Sequence, residues 1–354
     1  MTNLFEVFGN YRGFAESLFE CAIVLGLFLG IVIHFWRDRI WKDRFKKIFK
    51  NRTARFSFYF LMLFSFIAIL DSIALPIFEI RGEKKVWVEN RSLLELIYNP
   101  ELEETLSAPF SKTTFEARRA TMLKKSHPLG TNLNGRDVLL LGLKGCKTAL
   151  IIGGLTTIVV IPLGILFGVL AGYFGKKIDA IITYVFSTLE SIPEILLLIC
   201  LMKLMGQGLL QLSVALGITT WVGLCRVVRG ETMKLRELPY VQAAKALGSG
   251  NLSIIRQHII PNLMHIVLIA SVLRFSGLVL SEAILSYLGI GVGPETGSWG
   301  AMIDQGRDDL ARDPVVWWNI FTAGIFLFSL ILSANIFGDR VRDVLDPRLK
   351  GMKE

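Results

Sequence analysis

Glu190 and Glu194 stand four residues apart inside an apolar run, with Ser187 and Ser191 beside them. On a helix that spacing puts both carboxylates on one face, and Pro193 between them kinks the helix that carries them. A charge at the centre of a bilayer costs about 2.5–3.5 kcal/mol on insertion scales, so such groups turn toward a bundle interior or a wet cavity. One reading makes them the lining of a solute path, where a carboxylate meets an ammonium group. The other makes them structural, in contact with a neighbouring subunit or with Lys203. Arg274 and Glu282, eight residues apart on roughly one face of a later run, carry the same two readings. Asp71, near the outer end of its run, reads as a solvated edge.

Catalytic chemistry has no foothold in the chain. HExxH and GxSxG are absent, and no His, Cys and Asp cluster has catalytic spacing. Cys21, Cys146, Cys200 and Cys225 show no CxxC spacing and lie in or beside apolar segments, so they read as buried thiols rather than metal ligands or disulfides. His258 and His265, two turns apart near a membrane entry, read as ordinary. A phosphate-cradling loop needs GxxxxGK followed by Ser or Thr. The nearest approaches, Gly175-Lys176 and Gly145-Cys146-Lys147, lack the first glycine. The chain is therefore expected to be no enzyme, and to hold no metal and no cofactor of its own.

The elements that position these residues follow from composition. The chain has 354 residues, 52% of them hydrophobic and only 19% charged, with a mean hydropathy of +0.52. Apolar runs lie at about 18–36, 56–78, 147–172, 179–204, 209–228, 262–290 and 315–337. A helix of roughly 20 residues crosses a hydrocarbon core of about 30 Å, and backbone in lipid must satisfy its own hydrogen bonds. The expected fold is an all-α polytopic bundle in contact with membrane lipid. The content of 32 glycines suits close helix packing. The net charge of +9 reflects the enrichment of Lys and Arg in inner loops, not nucleic-acid binding.

Basic residues cluster at 37–55 (Arg37 to Arg55), at Lys176 and Lys177, over 226–256 (Arg226, Arg229, Lys234, Arg236, Lys245, Arg256) and in the tail from Arg340. The segment 295–313 is acidic, with Glu295, Asp304, Asp308, Asp309 and Asp313. Placing the basic clusters inside, and 295–313 outside with 79–145, gives a consistent zigzag. The expected organisation is an N-terminal apolar helix and basic segment (1–55), a first core helix (56–78) and an extracytoplasmic insertion (79–145) with amphipathic helices at 93–106 and 115–125. A membrane core follows (146–337), with a cytoplasmic loop at 229–261, then a cytoplasmic tail (338–354). The run at 18–36 is either a crossing or an interfacial helix.

Tyr240 to Pro261 is the most informative loop. Ala243, Ala244, Ala246 and Leu247 favour helix. Gly248 stands where a left-handed C-terminal cap is wanted. Asn251 or Ser249 can cap a second helix, and Pro261 suits the opening of the next membrane helix. A helix pair with a small-residue face lets a partner approach closely.

This segment resembles the "EAA" loop of binding-protein-dependent ABC importer permeases, matching at Ala243, Ala244, Gly248, Ile260 and Pro261. Gln242 stands where Glu is commonest in that family, and His258 at a usually apolar position. Residues 127–137 (HPLGTNLNGRD) resemble the HxLGTDxxGRD signature of the dipeptide, oligopeptide and nickel subgroup, with Asn132 in place of Asp. Residues 282–291 with Ser298-Trp299-Gly300, and 338–348, are similar to that subgroup's late helix and cytoplasmic end. The four segments fall in order over roughly 127–350.

The resemblance implies a type I importer permease fold of six core helices plus one extra N-terminal helix, in a bacterial inner membrane. It implies a subunit forming the path for di- or oligopeptides or a related small solute. It also implies partners: a second homologous permease, two ATPase subunits holding ATP and magnesium, and an extracytoplasmic solute-binding protein. Gln242, Ala243, Ala244, Gly248, Leu252, His258 and Pro261 would form the ATPase-coupling loop. Glu190, Glu194, Arg274 and Glu282 are the path candidates. The alternative is an ATP-independent transporter or channel using Glu190 and Glu194.

Overall fold

A computed structural model gives the fold; it describes residue 26 and residues 46–81, 84–99, 101–115, 121–293, 296–313 and 315–345. The apolar run at 18–36 apart from residue 26, Cys21, the basic residues from Arg37 to Arg44, Glu295 and the tail beyond Leu345 lie outside the described residues. Among the described residues, five helices are long and apolar enough to cross a membrane, and one bent helix pair has the length and composition of a broken span or a re-entrant loop.

Helix α1 (Arg52–Ser72) starts on Asn51, whose side chain accepts the Thr53 N–H at 2.9 Å. It ends six residues short of the expected 78. Pro76 stands four residues beyond Ser72, and a proline at that spacing does not fit a continuing helix. The chain continues as strand β1 (Ala74–Arg81), antiparallel to β2 (Lys84–Ser92). A capping box follows, in which Ser92 and Glu95 bond each other's backbone N–H, opening helix α2 (Leu93–Tyr98). The helix expected over 93–106 stops there, with Asn99 left-handed at φ 46°. The one expected over 115–125 does not form in its described part, where Met122 bridges Thr113 instead.

Helix α3 (Val138–Phe174) has 37 residues, capped by Asp137, which accepts the Leu140 N–H at 3.0 Å. It begins nine residues before the apolar run at 147 and spans about 55 Å, well beyond the hydrocarbon core. Helix α6 (Leu209–Arg236) packs along it. Gly164, Gly168 and Gly172 recur every fourth residue and form one stripe against Leu224, Cys225, Val228 and Thr232. A Cβ at Gly168 would lie 2.8 Å from the Cys225 carbonyl oxygen, so only glycine lets these backbones approach.

Between them, the expected single helix over 179–204 is two: α4 (Lys176–Glu190) and α5 (Glu194–Met205), bent by 86°. Pro193 cannot continue α4, so the chain turns rather than kinks. Helices α7 (Pro239–Ala246) and α8 (Asn251–Ile254) lie beyond α6. A π-helical turn (Ile255–Ile259) then joins α8 to helix α9 (Ile260–Tyr287). Helices α10 (Trp299–Asp309) and α11 (Trp318–Leu345) complete the described chain.

Candidate functional site

The bend between α4 and α5 opens a cavity of about 610 Å³, walled by α6 and α9. Glu190, Glu194 and Arg274 all line it. Glu190, the last residue of α4, pairs with Arg226 of α6, whose guanidinium also lies 5.2 Å from the Phe186 ring centroid. Arg226 thus belongs to a helix wall, not to the cytoplasmic basic stretch in which its sequence context placed it. The two residues are 36 positions apart, and no local pattern announces the pair.

Glu194 is the first residue of α5, where the helix dipole favours a carboxylate. Among the described residues it makes no hydrogen bond or ion pair, and Lys203 is not in contact with it. Arg274 Nη1 donates to the Thr220 carbonyl at 2.9 Å. Its guanidinium lies flat on α6 because residue 223 is glycine: a Cβ there would sit 1.9 Å from Nη2.

Glu282 does not line the cavity. Two turns beyond Arg274, about 12 Å along α9, it is fully buried, and its Oε1 accepts from Ser298 at 2.6 Å and Ser286 at 2.8 Å. Ser286 also accepts the Val292 N–H at 3.3 Å, and Ser298 caps α10. Glu282 therefore ties the end of α9 to the turn that precedes α10. Asp71 is no solvated edge either: it is buried and faces Lys147 at 3.7 Å.

The 127–137 segment forms the junction between the polar insertion after α1 and helix α3. His127 is buried between two carboxylates, with Nδ1 2.7 Å from Asp137 and Nε2 3.4 Å from Glu103. Asp137 also accepts from the Tyr98 hydroxyl at 2.9 Å, while burial and Asp137 together push that phenol well above its usual range. Asn132 Oδ1 accepts the N–H groups of Asn134 and Arg136, and Nδ2 donates to Gln305, so its amide uses both ends.

On the opposite side, α6 ends with Arg236, which donates to the carbonyl of Gly172 at 2.9 Å. Gln242 Nε2 in turn donates to the Arg236 carbonyl at 2.7 Å. A glutamate, commonest at this position in the resembled family, has no proton for that bond when ionised. Gly248 is left-handed at φ +84°. The Ser249 N–H reaches the Ala244 carbonyl, and the Gly248 N–H that of Lys245, a complete Schellman cap.

Neither Ser249 nor Asn251 caps α8 with its side chain; Asn251 Oδ1 instead accepts the Tyr173 hydroxyl at 3.0 Å. Pro261 lies in the first turn of α9, as its sequence position implies, although the helix is not a fresh start. Asn251 to Tyr287 is continuous, and the π turn places the Ile260 N–H on the Ile255 carbonyl just before the residue that lacks an N–H. His258 stacks near Tyr240, with ring centroids 5.9 Å apart. Val241 and Ile254 anchor the pair in the core, while Ala243 is exposed. Leu247 and Leu252 stand 87% and 79% exposed at its tip.

Residues 164–351 match the family described as the binding-protein-dependent transport system inner membrane component. The chain belongs to that family. The permease is 31% identical over 309 residues to the oligopeptide transport system permease protein OppC of Haemophilus influenzae, covering 87% of this chain and 89% of the relative. It is 34% identical over 224 residues to the dipeptide transport system permease protein DppC of Bacillus subtilis, covering 63% and 69%. It is also 34% identical over 225 residues to the glutathione transport system permease protein GsiD of Pectobacterium atrosepticum, covering 64% and 74%. This permease is thus a polytopic helical protein of the inner membrane whose work is transport.

Proposed function

We propose that the permease forms half of an ATP-driven import path for peptides or a related small solute. Its partners in this reading are a second homologous permease, two ATPase subunits and an extracytoplasmic solute-binding protein. The observation that carries the reading is the helix pair α7–α8. Leu247 and Leu252 are large apolar side chains exposed on a small-residue knob that packing and the Gly248 cap hold rigid. Apolar surface so presented calls for a protein partner.

ATP and magnesium belong to that partner, because this chain has no phosphate-cradling loop. Movement of α7 and α8 reaches the membrane through the π turn and α9, the helix that carries Arg274. The similarity to dipeptide and oligopeptide transport permeases favours peptides as the solute. An ion-driven carrier using Glu190 and Glu194 is disfavoured by Arg226, which already neutralises Glu190.

The test is Gly248→Asp in the complete importer. A Cβ there has open space around it, but the left-handed backbone disfavours one. Gly248→Asn, which tolerates that conformation, separates backbone strain from docking. The expected result is an Asp variant that stays in the membrane, with ATP hydrolysis uncoupled from uptake, and an Asn variant close to wild type. Unchanged uptake in the Asp variant overturns the docking assignment.

A further inference from the structure

We propose that the cavity binds its solute as a zwitterion, with Arg274 taking a free carboxylate and Glu194 a free ammonium group. The inference rests on the cavity being the solute path and names what that path recognises. Three observations carry it. First, Arg274 has one hydrogen bond among the described residues, Nη1 to the Thr220 carbonyl, and its other N–H groups have none. A guanidinium presents planar N–H groups that match a carboxylate, and the glycine at 223 lets this one lie against α6 while its remaining N–H groups have no partner among the described residues.

Second, Glu194 lies near enough to Arg274 to act on it electrostatically, yet the two form no ion pair. Opposite charges lining one cavity without touching suit a molecule that carries both charges at its ends. Third, the remaining charged residues of the site are spoken for. Glu190 and Arg226 neutralise each other, so the two open groups leave the cavity with no net charge to attract simple cations or anions. Leu197, Val222, Leu273 and Leu278 supply apolar wall between the charged groups. A volume of about 610 Å³ admits a short peptide of varied side chains.

The experiment uses the whole importer in proteoliposomes, with its ATPases and solute-binding protein. Uptake of a free tripeptide, its C-terminal amide and its N-acetyl form is measured with each solute saturating the binding protein. Each variant is compared with wild type for the same solute, so the binding protein's preference cancels. Losing a charged hydrogen-bond partner corresponds to about a tenfold to hundredfold change. Arg274→Gln is expected to lower uptake of the free tripeptide by about that factor while leaving the amide within about twofold. Glu194→Gln is expected to spare the N-acetyl form in the same way. Equal loss for every solute, or no loss, overturns end-recognition.

A second measurement separates the two readings. Ser281 lines the cavity, and Ser281→Cys with Cys21→Ser and Cys200→Ser leaves only the buried Cys146 and Cys225 besides the new site for a bulky thiol reagent. Blocked uptake after labelling supports the path. If labelling leaves uptake intact, the path reading falls and the zwitterion site with it. If labelling blocks uptake while the charge variants treat all solutes alike, only end-recognition falls.

Discussion

Gln242 Nε2 donates to the Arg236 carbonyl, 2.7 Å away across the turn that joins α6 to α7. Arg236 itself donates to the end of α3, so one short relay holds the helix pair α7–α8 against α6 and α3. Gln242→Glu replaces the donor with an acceptor and sets a carboxylate against a carbonyl oxygen. The expected cost is about 1 kcal/mol of local stability. It should register as faster hydrogen exchange at the amides of 237–246 in the intact chain, with weaker coupling of ATP hydrolysis to uptake. Unchanged exchange would show that the relay does not hold the turn.

The membrane helices were legible because a bilayer demands long apolar runs: those at 56–78, 147–172, 209–228, 262–290 and 315–337 each fall in a helix long and apolar enough to cross, and 179–204 in a bent pair. Gly248 was legible too, because a left-handed cap after an alanine-rich helix is local chemistry. What escaped was set by distant neighbours. Arg226 read as a loop charge until α4 brought Glu190 to it. Glu282 and Arg274 shared a sequence face, yet two turns of rise carried Glu282 out of the cavity and onto Ser286 and Ser298. The strand at Ala74–Arg81 hid inside an apolar run, although Pro76 marked the end of the helix before it.

The Glu190–Arg226 pair predicts non-additive substitutions. Arg226→Met leaves a carboxylate facing the cavity alone, and Glu190→Gln leaves a guanidinium over Phe186. The double variant leaves neither, so it should be less destabilised than the sum of the singles. Both groups are well exposed, so the coupling is expected to be about 1 kcal/mol rather than the larger figure of a buried pair. Thermal unfolding of the four proteins in detergent measures it. Strict additivity would mean that the contact does no energetic work.

The glycine stripe of α3 predicts a graded response. At Gly168 a new Cβ meets the Cys225 carbonyl, which is backbone and has no rotamer to escape through. At Gly164 it meets the Leu224 side chain, which has. Gly168→Leu should therefore cost about 1–3 kcal/mol or more, and Gly164→Ala distinctly less. Thermal midpoints of the two variants give the order. A Gly164 variant as damaged as the Gly168 variant would show that side-chain repacking, not backbone approach, limits this interface.

In the polar insertion between α1 and α3, Glu95 lies 2.6 Å from Lys144 of α3, with both side chains about a quarter exposed. Burial raises the Glu95 pKa, but Lys144, the Ser92 N–H and Arg91 together outweigh it and hold the carboxyl below its ordinary value of 4.5. A depressed carboxylate contributes stability that is present above its unfolded pKa and disappears as pH falls through the folded one. The midpoint difference between wild type and Glu95→Gln should thus be constant near neutral pH, begin to shrink below 4.5 and vanish in stronger acid. Its size at neutral pH should be about 1 kcal/mol, as for a partly exposed pair. Thermal unfolding of the two proteins across an acid series reads this directly, and a gap that widens on acidification would reverse the assigned sign.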